Sequence, residues 1–109
     1  MSVNPFIVIF FGAQIENTDT RFIKYGNDIR LHCSEGTENQ FLMASDSMIR
    51  IAPYGYDSYG DDMQIGEHKI LSFDKQKEQE YREVLQDVIG KNDIKIIGQL
   101  DWIILNDTN

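Results

Sequence analysis

The side chains able to do chemistry are His32, Cys33, His68 and a set of clustered carboxylates. Neighbouring residues of a strand point to opposite faces, so adjacent His32 and Cys33 can neither hold one ion together nor form a thiol–imidazole pair. Neither histidine sits in a zinc-motif spacing. The run Asp57-Ser58-Tyr59-Gly60-Asp61-Asp62 supplies hard oxygen ligands of the kind calcium takes. A helix–loop–helix calcium loop starting at Asp57, however, requires glycine where Asp62 stands and glutamate where His68 stands. Gly12 is a lone glycine, without the repeated glycines of a dinucleotide loop or the Lys-Ser/Thr ending of a triphosphate loop. Acid–base catalysis needs only two placed carboxylates, but the 18 Asp and Glu here select no pair. No metal, no cofactor and no catalytic residue is therefore assigned.

What stands out is chemistry suited to recognition. The stretch from Pro53 through Gly66 holds Tyr54, Tyr56, Asp57, Tyr59, Asp61 and Asp62, with three glycines and no basic residue. Glycine content and irregular spacing predict a long loop, and loops of this length in small domains commonly bind something. Tyrosines give large amphipathic contacts at low ordering cost, and the aspartates would steer association and accept from Arg or Lys donors. These six residues are the candidate binding site of a non-catalytic protein-interaction module, an inhibitor, immunity factor or adaptor, against a protein partner with a basic patch. A plain structural loop, its tyrosines laid on the domain body, explains the same composition.

Two other readings fit the residues. A small enzyme would use an acidic, histidine-containing cleft of Asp57 or Asp61 with His68, and would show a deep pocket rather than a shallow continuous surface. A DNA-mimicking inhibitor would present carboxylates where phosphates sit. Ten Lys and Arg against 18 acids give a net charge of −8, which opposes direct binding to nucleic acid. The most apolar run, Val3 to Phe11, is far shorter than the roughly 20 residues of a spanning helix, so no membrane partner is expected. No base precedes Arg21 to form the start of a signal peptide. Cys33 is the only cysteine, which excludes an intramolecular disulfide, and the expected location is cytoplasmic.

The elements that position these residues follow from periodicity. Phe6 to Phe11 is apolar on both strand faces and predicts a core strand, with Gly12 marking a bend or close approach before Ala13-Gln14-Ile15. A short helix is expected from Asn17 to Tyr25, capped by Asn17 or Thr18, anchored by Phe22 and Ile23 and stopped at Gly26. Ile29, Leu31 and Cys33 alternate with Arg30 and His32, and a polar turn separates them from Gln40 to Ala44, which predicts an antiparallel hairpin. Met48 to Ala52 is either a third strand or a continuation of the second.

The stripe Phe73, Lys77, Tyr81, Val84, Leu85, Val88 and Ile89 predicts a long helix capped by Ser72 or Asp74. Ile94 to Leu105 is either two short strands or one bent strand anchored by Trp102. The expectation is a single α+β domain, 1-109, with a mixed or mainly antiparallel sheet packed by one long helix and one short one. Such a sheet can hide an edge by pairing with a second copy, so a homodimer is compatible with it.

Overall fold

The computed structural model describes residues 5–24, 26–34, 37–53 and 62–108. Its strands are β1 (Pro5–Ile15), β2 (Ile29–Cys33), β3 (Gln40–Ala44), β4 (Ile49–Pro53), β5 (Asp62–Met63) and β6 (Ile96–Thr108), with one helix, α1 (Lys75–Lys91). The strand pairs are antiparallel except for β4 with β5. The fold is a small mixed α+β domain, as the sequence pattern predicts.

β1 organises the sheet because both of its faces are apolar. Phe6, Val8 and Phe10 are buried on one face and Ile9, Phe11, Ala13 and Ile15 on the other. β6 lines one edge of β1, from Pro5↔Thr108 to Ile15↔Ile96. The opposite edge is shared: β3 pairs with Gly12 to Ile15, and β4 with Ile7 to Ile9. A 3-10 turn, Ser45–Ser47, carries the chain between them past Phe10 and Phe11. There the Phe11 N–H donates to the Ser47 hydroxyl at 2.9 Å, and that hydroxyl donates to the Ala44 carbonyl at 2.7 Å. Buried Ser47 thus replaces the ladder partner that the turn removes. Met48 to Ala52 is accordingly a separate strand, collinear with β3.

Gly12 is the close approach its residue type suggests. A Cβ there would stand 2.0 Å from the Leu42 carbonyl oxygen. The stretch read as Ile94 to Leu105 forms one strand, β6, which starts at Ile96 and continues to Thr108, with an irregularity: the β1–β6 register shifts between Gly12 and Gln14, and Gly98 takes φ +87°.

α1 packs chiefly on β1 and β3, burying Leu85 and Val88 against Phe11, Ile15, Ile29 and Leu42. Asp74 caps it, its Oδ1 accepting from Gln76 N at 2.8 Å and Lys77 N at 3.4 Å. The helix runs through Gly90 and ends at Asn92, whose amide donates to the carbonyls of Val88 and Lys24 and accepts from Lys24 N.

The segment expected to be a short helix from Asn17 to Tyr25 is a single 3-10 turn, Thr20–Phe22, capped by Asp19 rather than by Asn17 or Thr18. The reason is tertiary. The Gln40 side chain accepts from Thr18 N at 2.9 Å and donates to Thr18 O at 3.1 Å, taking the backbone groups a helix would need. Ile23 packs on the helix-side core as expected; the Phe22 side chain and Tyr25 lie outside the described residues.

Gly12→Ala should therefore lower stability by about 1–3 kcal/mol, because the obstructing atom is backbone and cannot rotate away. Gly26→Ala, with nothing within 4 Å of the added carbon, is the near-neutral control. Urea midpoints of the two variants compare them directly, and equal midpoints would contradict the close approach.

Candidate functional site

Residues Tyr54, Tyr56, Asp57, Tyr59 and Asp61 lie outside the described residues. Both flanks of that segment are held together, since Ala52 and Pro53 pair in parallel with Asp62 and Met63. His68 is exposed. Cys33 is exposed while His32 is half-buried, as alternation along β2 requires.

The structure gives His32 a partner that the sequence reading does not identify. His32 Nε2 lies 2.5 Å from Asp107 Oδ2, and the Ser34 hydroxyl donates to Asp107 Oδ1 at 3.0 Å. Asp107 is 3% exposed and Ser34 is buried. β2 flanks the C-terminal end of β1 through Gln40↔Ile15, whereas Asp107 sits opposite Phe6 at the other end. These are diagonal corners of the sheet, and twist lifts diagonal corners toward the same side. The side chains meet on the face that carries Phe6, Val8, Phe10, Phe41 and Met43. Serine, histidine and aspartate here do not form a nucleophile. The serine donates to the carboxylate rather than to the imidazole, which is not the nucleophile–imidazole–carboxylate order of a Ser-His-Asp triad. The arrangement is a polar clasp between strands that share no ladder.

The helix-side face presents a different surface. Cross-strand pairs Ile7↔Ile51, Ile9↔Ile49 and Ile9↔Ile104 gather isoleucines on the half of the sheet beyond α1. Ile9 is buried, but Ile104 is 72% exposed and Ile7 is exposed beside it. The connection from β5 to α1 adds Ile65 at 98% and Ile70 at 86% exposure, with Leu71 and Phe73 also exposed. Phe73 stacks on Trp102 with ring centres 4.3 Å apart, and Phe11 meets Trp102 edge-on at 5.4 Å. Trp102 Nε1 is buried with no hydrogen-bond partner among the described residues, a cost of about 1–3 kcal/mol. Phe73 and Trp102 also wall an open cavity at the start of α1. Composition did not announce this surface, because its residues come from β1, β4, β6 and the connection before α1.

Elsewhere, the Arg21 guanidinium holds the Asp19 carboxyl below its ordinary range through hydrogen bonds, and Asp19 raises Arg21 in return. The Asp19 contribution is present above the ordinary carboxylate range and fades as pH falls through the lowered value. Both groups are fully exposed, so the pair shapes local charge rather than stability.

The clasp yields a measurable expectation. Asp107→Ala should destabilise by roughly 3 kcal/mol, since it strands the Ser34 hydroxyl and His32 imidazole, and Ser34→Ala by about 1.5–3 kcal/mol. Chemical denaturation of the singles and the double would reveal non-additivity; additive losses would mean that the groups act separately. A scan of the chain against protein-family models, a search of the curated proteins and a search of the solved structures each returned no match.

Proposed function

We propose that this protein is a non-catalytic interaction module that binds a basic surface of another protein, in the manner of an inhibitor, immunity factor or adaptor. The observation that carries this reading is the set of exposed apolar side chains: Ile104 and Ile7 on the half of the sheet that α1 leaves, and Ile65, Ile70 and Leu71 on the connection from β5 to α1. Burying one such side chain contributes about 1.5–3 kcal/mol, so a few of them supply the apolar centre of an interface. The acidic segment Tyr54, Tyr56, Asp57, Tyr59, Asp61 and Asp62 leaves β4 directly after Ile51 and Ala52 and returns to β5 beside them. A charged rim next to an apolar centre is how non-obligate interfaces are built, and the net charge of −8 selects a basic partner.

The test is affinity capture from source cells at near-physiological salt with three folded baits: the wild type, Ile104→Lys, and an Asp57/Asp61/Asp62 charge reversal. One enriched protein is expected with the wild type. Ile104→Lys should cut its recovery about tenfold or more, the effect of losing about 1.4 kcal/mol. The charge reversal should also weaken recovery, more strongly at low salt. Equal recovery by all three baits would remove the proposed surface.

A further inference from the structure

We infer that the groove between the start of α1 and the turn Ser45–Ser47 receives an arginine side chain of the basic partner. This rests on the interaction reading above and supplies its anchor. Two cavities of about 190 Å³ each lie side by side along this groove, with Asp46, Lys77 and Tyr81 lining both. One end is walled by Phe73 and Trp102, the other by Asp28 and Glu80.

Charge decides the occupant. The groove lines up Asp28, Asp46, Asp74 and Glu80 against one amine, Lys77, which lies 3.8 Å from Glu80. Asp46 makes no side-chain hydrogen bond or ion pair among the described residues, although it stands beside an aromatic wall. Asp74 uses Oδ1 for both helix-capping bonds, which leaves Oδ2 available. An anion would meet these carboxylates at close range, whereas a cation replaces part of its lost hydration with them.

Ring geometry favours arginine over lysine. Tyr81 stands at 83° to Trp102 with centres 6.4 Å apart, and Phe73 covers Trp102 while remaining exposed itself. Exposed Phe73 offers a planar guanidinium a ring to stack on while the aspartates accept its forked donors; an ammonium donates to the same carboxylates but has no plane to stack. Ile49 lines the same cavity, so the groove is continuous with the isoleucine face. The anchor would sit beside the apolar surface, and a hot-spot arginine contributes most when its pocket is fully desolvated by such a neighbour.

Trp102 is the only tryptophan, so its fluorescence reports on the groove directly. The probe is an acetylated hexaarginine amide titrated into the intact protein, with hexalysine and hexaglutamate amides as comparisons. Expected are a saturable change in Trp102 emission, and a matching shift of its indole N–H resonance, with hexaarginine. The response should be several-fold weaker with hexalysine and absent with hexaglutamate.

Asp46→Lys should weaken hexaarginine binding at least tenfold. Asp74→Asn, which keeps a capping side chain, and Phe73→Ala should each weaken it several-fold, with circular dichroism confirming the fold. Binding by calorimetry that leaves Trp102 silent and survives these variants, but fails in the Asp57/Asp61/Asp62 reversal, would overturn the groove while leaving the interaction reading intact. Absence of any hexaarginine binding would also overturn the arginine anchor, and the interaction reading would then stand or fall on capture alone.

Discussion

The contact between β1 and β3 at Gly12 is the constraint on which the other layers depend. With no Cβ at Gly12, the Leu42 carbonyl lies where a side chain would otherwise be. That approach sets Phe41 edge-on to Phe10, with ring centres 5.9 Å apart, on one face of the sheet. On the other face it lets Leu42 and Ala44 join Phe11, Ala13 and Ile15 beneath α1. A strand apolar on both sides needs cover on both, and two separate clusters form around most of it. The helix supplies the cover for one. The curl of the sheet supplies much of the cover for the other.

Between β3 and β4 three residues leave the ladder as a turn, and the Ser47 hydroxyl accepts the Phe11 N–H that the turn leaves without a ladder partner. The curl is then held at its corners by His32, Ser34 and Asp107. A buried carboxylate is costly unless its oxygens are engaged, and here each has a partner from the β2 side of the sheet. Clasp and turn are polar devices in an apolar body, and both act by completing hydrogen bonds rather than by adding attraction.

These constraints also shape the outer surface. α1 is tied at its end to Lys24 through Asn92 and packs over the half of the sheet that contains Ile15, so the Ile7 half extends past it. Phe73, just before the helix, closes on Trp102 at the boundary between the covered and uncovered halves. Apolar surface, aromatic wall and carboxylates therefore meet at one place because the helix stops short of the end of the sheet. The acidity of the chain gives that meeting place a sign. Exposed isoleucines beside negative charge suit a partner with apolar and basic groups side by side.

Much of the architecture was legible in the residues. Two-residue alternation in Ile29 to Cys33, the doubly apolar Phe6 to Phe11 and the three- and four-residue stripe around Leu85 name strand, central strand and helix, because local periodicity reports which faces are buried. Gly12 signalled a close approach, and Asp74 a cap, since both act within a few residues. That the segment after Asn17 forms only a 3-10 turn, and not the expected short helix, was not legible, because Gln40, distant in sequence, takes the Thr18 backbone. Nor was the pairing of His32 with Asp107, which depends on sheet twist joining opposite corners. The acidic, tyrosine-bearing segment could be read from composition alone; the isoleucine face and the groove at Asp46 could not. By itself the sequence determined the long elements, the class of fold and the sign of the charge, which are sums over neighbours. The tertiary structure decided which side chains from distant strands share a surface, because that depends on register and twist, which no local window contains.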